Sequence, residues 1–146
     1  MFVAPYTRKY MLQYKEPLLP DYKTNDKCET TKLLSHLAKS LNKYIIGGSF
    51  AEEIEGEDRI YNTSVCFNRE GDIVAEHRKL HLFDINIPGG ITFYESEYVK
   101  PGPAQFSIFE TEYCKVSAHN YRCLYRSDLA FVMTSDLQST PSICQP

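Results

Sequence analysis

A helix followed by a buried strand and then a hairpin predicts a protein of the α/β (α+β) class, with a helix laid against a sheet. Three observations carry that expectation. "ETTKLLSHLAKSLNK" (29–43) repeats apolar residues at helical spacing, "YIIGGSF" (44–50) is a short apolar run, and "RIYNTSVCFN" and "DIVAEHRKL" flank the turn sequence "NREGD".

Each element follows in order. Residues 1–27 are rich in proline and tyrosine and read as a loop with a short helical piece at "RKYMLQY". In the helix over 29–43, Leu33, Leu34, Leu37, Ala38 and Leu41 form an apolar stripe with the lysines on the other side. In the strand that follows, Gly47 and Gly48 suggest close approach of a neighbouring backbone. Gly71 supplies a positive φ to the hairpin turn. "IPGG" (87–90) is a loop, and "YVKPGPAQFSIFET" holds another loop and a strand. From about Ser117 the periodicity dissolves, and a short helix at "RSDLAFVM" is the only element expected there. The chain therefore divides into a domain over 1–116 and a divergent tail over 117–146.

The 146 residues, 42% hydrophobic and 24% charged, suffice for one modest core. A net charge of −3 gives no basic footprint, so neither nucleic acid nor an anionic membrane is an expected partner. No apolar run reaches the length of a membrane span, and the first residues lack a signal peptide's apolar core. The five cysteines, Cys28, Cys66, Cys114, Cys123 and Cys144, are odd in number and form no CxxC. That argues against a disulfide framework or a zinc site and for a reducing interior, the cytoplasm or alternatively the mitochondrion. No cofactor or metal is expected. "NTS" at Asn62 matches a glycosylation sequon, a pattern short enough to arise by chance.

The densest polar stretch is "AEHRKLHLFD" (75–84), which places Lys79 at a strand end. Charged side chains are mostly exposed, so composition alone favours a rim lysine whose stem covers apolar surface. The alternative is a functional lysine, since strand ends of layered folds commonly build sites. Glu95 and Glu97 follow a glycine loop and are placed to return to it, which would hold the lysine charged and oriented.

"HRKLHLFD", then "INIPGGITFYESE" and "PG", resembles the lysine motif of the nitrilase superfamily of carbon–nitrogen hydrolases, with the omega-amidase branch most similar. The resemblance extends over "FVAPYTRKY", "YIIGGSFAEE", "YNTSVCFNREGDIVAEHRK" and "FSIFETEYCKV", about residues 2–116. It implies part of a four-layer α-β-β-α sandwich that buries one helical face against a partner subunit. It also implies a Glu–Lys–Cys triad in which cysteine attacks an amide carbonyl and forms a thioester. Glutamate moves protons, and the lysine stabilises the oxyanion. The implied substrates are terminal amides of small dicarboxylate monoamides such as 2-oxoglutaramate, with ammonia released. Lys79 matches the triad lysine and Glu95 a second, supporting glutamate; His81 and Phe83 belong to the motif as packing and support. Arg78 is a candidate for a substrate carboxylate.

The sequence departs from the family pattern at the other two triad positions. The family's glutamate lies in an "LPE" motif upstream of the match, and Glu16 does not align with it. The nucleophile is expected as a "GxGxCYDxRF" elbow after "YCKV", where this chain reads "SAHNYRCLYRSDL". Cys123 is the candidate nucleophile by position, without the elbow's glycines or Tyr–Asp pair. An isolated cysteine is more often a small buried hydrophobe, and Cys144 is a weaker candidate still. Back-translated from Leu129 and shifted by one base, "LAFVMTSDLQSTPSICQ" yields "GICYDLRFAEYAQYLP", a family-like elbow. Met133 has one codon, and with Thr134 after it forces the aspartate that "CYD" needs. These features predict a truncated, catalytically impaired homologue, with a tail from another reading frame. The alternatives are a non-catalytic isoform pairing with a full-length relative, a homodimer, or a gene-model artefact. A separate binding module built on the Tyr-rich start is a weaker alternative.

Overall fold

The computed structural model describes residues 3, 5–105 and 107–118. Its centre is a four-stranded sheet in the order β1-β2-β3-β4, with β1 Glu16–Pro17, β2 Ile45–Glu53, β3 Ile60–Phe67 and β4 Ile73–Arg78. β1 runs parallel to β2, while β2/β3 and β3/β4 are antiparallel. Two helices accompany it, α1 (Arg8–Gln13) and α2 (Glu29–Leu41). Two hairpins follow, β5/β6 (Asp84–Asn86 with Thr92–Tyr94) and β7/β8 (Ser107–Glu110 with Lys115–Ala118). The helical piece at 8–13, the helix over 29–41 and the β3/β4 hairpin are where the sequence places them. β1, within the expected opening loop, the β5/β6 pairing and β8 are additional, because strands of two to four residues leave too short a period to read.

The apolar stripe of α2 is rotated from its expected position. Thr31, Ser35 and Ala38 face the sheet, one face at i, i+4 and i+7, whereas Leu33 and Leu41 are exposed. Ser35 explains the rotation: its hydroxyl donates to the Gly71 carbonyl at 2.6 Å, tying the helix to the β3/β4 turn. Only small side chains allow so close an approach. A Cβ on Gly71 would lie 2.5 Å from the Ser35 carbonyl oxygen, and Gly71 itself takes φ +80°. Leu34 rests over Gly47, where a Cβ would meet its methyl at 2.5 Å. The neighbours at Gly47 are thus a helix side chain and, at 3.3 Å, the backbone carbonyl of Val65 on β3, and Gly48 sits at φ +67° where the β2/β3 register shifts.

Strand alternation sorts the core. On the α2 side, Phe50, Val65 and Phe67 pack with Tyr22, Cys28 and Ala38. On the other side, Ala51 and Ile60 pack with Met11, Tyr98 and Val99, while Cys66 packs with Phe109. β3 is covered on both faces, which suits a central strand. Among the described residues no helix is long and apolar enough to cross a membrane.

Candidate active site

Lys79 follows β4 directly, and its backbone is held on both sides. Its N–H donates to the Asn62 carbonyl at 2.9 Å, and its carbonyl accepts from Gly102 N–H at 2.9 Å. The segment pinning it must be glycine, since a Cβ on Gly102 would lie 2.2 Å from the Arg78 oxygen. With the backbone so fixed, the side chain turns inward and the residue is only 7% exposed. The solvated rim lysine favoured by composition is therefore not what the fold builds.

Glu95 opens a 3₁₀ turn (Glu95–Glu97) just after β6 and is fully buried. Its Oε2 accepts from Lys79 Nζ at 2.6 Å and from Phe83 N–H at 2.5 Å. Its Oε1 accepts from the Tyr6 hydroxyl and from Asn62 Nδ2, the latter at 3.3 Å. Burial of this charge is tolerated because an opposite charge and three further donors surround it. Tyr6 Oη in turn accepts from Lys79 Nζ and from Asn62 Nδ2, both at 3.1 Å. Burial and the Glu95 carboxylate both push the Tyr6 hydroxyl well above its ordinary value, so it stays protonated. Tyr98, beside the carboxylate, is pushed up to about 12, mainly by burial. Phe93 packs on Tyr6, Phe83 and Tyr98, so apolar rings wall the charged corner.

Of the two glutamates expected to return to Lys79, only Glu95 does. Glu97 is on the surface, 3.7 Å from Arg8. Arg78 points to the opposite face of the sheet. There its Nε and Nη2 grip Glu52 at 2.7 and 2.6 Å, and its guanidinium lies 4.9 Å from the Tyr61 ring centroid. Neighbours on a strand face opposite ways, so Arg78 does not share the Lys79 corner. His81 is half-buried, and Phe83 supports Glu95 through its backbone N–H. Cys123 and Cys144 lie outside the described residues, as do "RSDLAFVM" and the whole frame-shifted stretch.

Tyr6 and Asn62 were missed as partners of the lysine. Asn62 drew notice only as a sequon; it is 3% exposed, which leaves no room for a glycan. The signal available was its place in β3: an amide inside a strand covered on both faces needs partners, and a buried charge is the natural one.

A carbon–nitrogen hydrolase family profile matches residues 1–122, most of the chain. The chain belongs to the carbon–nitrogen hydrolase family. Family members similar to it include omega-amidase NIT2-B of Xenopus laevis, 46% identical over 115 residues. Omega-amidase NIT2 of Homo sapiens is 44% identical over 115 residues. Each alignment covers 79% of this chain and 38% of the relative, so the chain spans under two fifths of their length. Among solved structures, Saccharomyces cerevisiae Nit3, a member of branch 10 of the nitrilase superfamily, superposes with a TM-score of 0.60 at 31% identity. That superposition covers 77% of this chain and 36% of Nit3. The mixed α/β architecture is thus part of the nitrilase-superfamily fold, as the resemblance implied. The family match stops at residue 122, one position before Cys123.

Proposed function

We propose that the Lys79 corner is the oxyanion-binding part of an omega-amidase-like site acting on the terminal amide of a small dicarboxylate monoamide. The observation that carries this is a donor count. An ammonium has three N–H bonds. Two are taken, by Glu95 Oε2 and Tyr6 Oη, and among the described residues the third has no acceptor. A buried cation with one fixed donor to spare suits the negative oxygen that forms when a thiolate adds to an amide carbonyl. The addition forms a carbon–sulfur bond as the carbonyl π electrons move onto oxygen. Collapse expels the amine with a proton as ammonia and leaves a thioester, and water then releases the acid and restores the thiol. Glu95 accepts four hydrogen bonds and acts by orienting Lys79.

On this reading the chain is catalytically impaired, because "SAHNYRCLYRSDL" stands where the nucleophile elbow is expected and Cys123 lacks its flanking residues. Incubating the purified chain with 2-oxoglutaramate and measuring ammonia is the test. No release above a Lys79→Ala control is expected; release above it would overturn the impairment and establish an active amidase.

The exposed Leu33 (54%), Leu41 (59%) and Ile46 (57%) favour a second reading, a non-catalytic homologue that pairs with another subunit. Size-exclusion chromatography with a full-length relative is expected to show a joint peak, and two independent peaks would count against it.

A further inference from the structure

We propose that Tyr6 is a positioning residue whose hydroxyl, set between the Lys79 ammonium and the Glu95 carboxylate, fixes the direction of the ammonium's remaining N–H. The role assigned to that N–H rests on the oxyanion reading above; the positioning itself is a matter of geometry. A lysine head on a flexible four-carbon stem rotates freely about its last bond. One acceptor fixes a single N–H direction and leaves rotation about it. A second acceptor removes that rotation, and at a tetrahedral nitrogen the third direction then follows. Glu95 Oε2 at 2.6 Å is the first acceptor and Tyr6 Oη at 3.1 Å the second.

The remaining valences of Tyr6 support this role over a proton-transfer role. A phenol has one donor and room for about two acceptor contacts. Its proton goes to Glu95 Oε1, and its oxygen accepts from Lys79 and Asn62, so the ring Lys79–Tyr6–Glu95 closes on itself. No lone pair is left to take a proton from a reactant. The hydroxyl's raised ionisation keeps it a donor across the ordinary pH range. The aromatic ring completes the arrangement: Lys79 Nζ lies 5.6 Å from its centroid, and the ring packs on Phe93 with centroids 6.1 Å apart.

The test is NMR of the full chain with 15N-labelled lysine. In the unmodified chain the Lys79 ammonium is expected to exchange its protons slowly and to show cross-relaxation with the Tyr6 hydroxyl proton. Tyr6→Phe, which keeps the ring, is expected to speed that exchange roughly tenfold, the scale of one lost hydrogen bond. Asn62→Ala, which leaves the hydroxyl in place, is expected to have a smaller effect. No Lys79–Tyr6 cross-relaxation in the unmodified chain would overturn the proposal, as would unchanged exchange in Tyr6→Phe. If Tyr6→Phe does not fold, the unmodified chain alone decides. Ammonia release plays no part in this readout. An inactive chain with the cross-relaxation therefore leaves the positioning role standing, and turnover without it defeats that role alone.

Discussion

Arg78 and Lys79 are neighbours in sequence, yet they build two different ion pairs on opposite faces of one sheet. Arg78 meets Glu52 through two parallel bonds, Thr63 donates to the same carboxylate at 2.5 Å, and Tyr61 lies against the guanidinium. A planar fork on a carboxylate is a closed arrangement that ties three strands together. Lys79 meets Glu95 through one bond and Tyr6 through another, which among the described residues leaves a donor over. The first pair holds the sheet; the second orients an ammonium. Charge and burial alone do not separate the roles. Counting donors against acceptors does.

The largest expected effect breaks the second pair. Glu95→Ala leaves the Lys79 ammonium buried without its counter-charge and removes the acceptor of four hydrogen bonds. A loss of about 3–5 kcal/mol is expected in urea denaturation. A loss under about 1 kcal/mol would mean that water already reaches the lysine. The same measurement on Glu52→Ala is expected to cost less, about 2 kcal/mol, the scale of hydrogen bonds to a charged group. The Arg78 side chain is 27% exposed, so water partly replaces the lost carboxylate. If the two losses came out in the reverse order, the contrast between the faces would be wrong.

A smaller effect, graded with pH, sharpens the contrast. Tyr6 and Tyr98 ionise above their ordinary value of 10.0 in the fold, and burial raises the Cys66 thiol from 9.0 to about 11. The native state therefore keeps protons that the unfolded chain gives up. Stability from these groups is complete below about pH 9 and declines as pH rises through 9 to 12. Thermal melts across that window are expected to show the decline, with a shallower slope in Tyr6→Phe. Arg78 contributes no slope, because its bond to Glu52 raises an ionisation that already lies above this range.

The parts of the fold legible in sequence are those with enough residues to repeat. Thirteen residues of α2 and the β3/β4 turn around Gly71 satisfy that condition. The face that α2 presents was misjudged, because leucines outweigh threonine and serine on a hydropathy count. Ser35 decides the matter through one hydrogen bond to a turn 36 residues away. Lys79 and Glu95 were legible as a motif. Tyr6 was not, since it lies 73 residues from the lysine it touches and looks like any other tyrosine of the opening loop.

The sequence by itself determined the class of fold, the family, and the presence of a lysine and a glutamate in one motif. These are carried by local patterns and by motif residues sixteen positions apart. Only the tertiary structure decided which way each charge faces and what surrounds it. A single residue's step past the end of β4 sends Arg78 to one side of the sheet and Lys79 to the other. Among the described residues, the two acceptors on the lysine's ammonium come from the opening loop and from the 3₁₀ turn after β6, brought together only when the core closes between them.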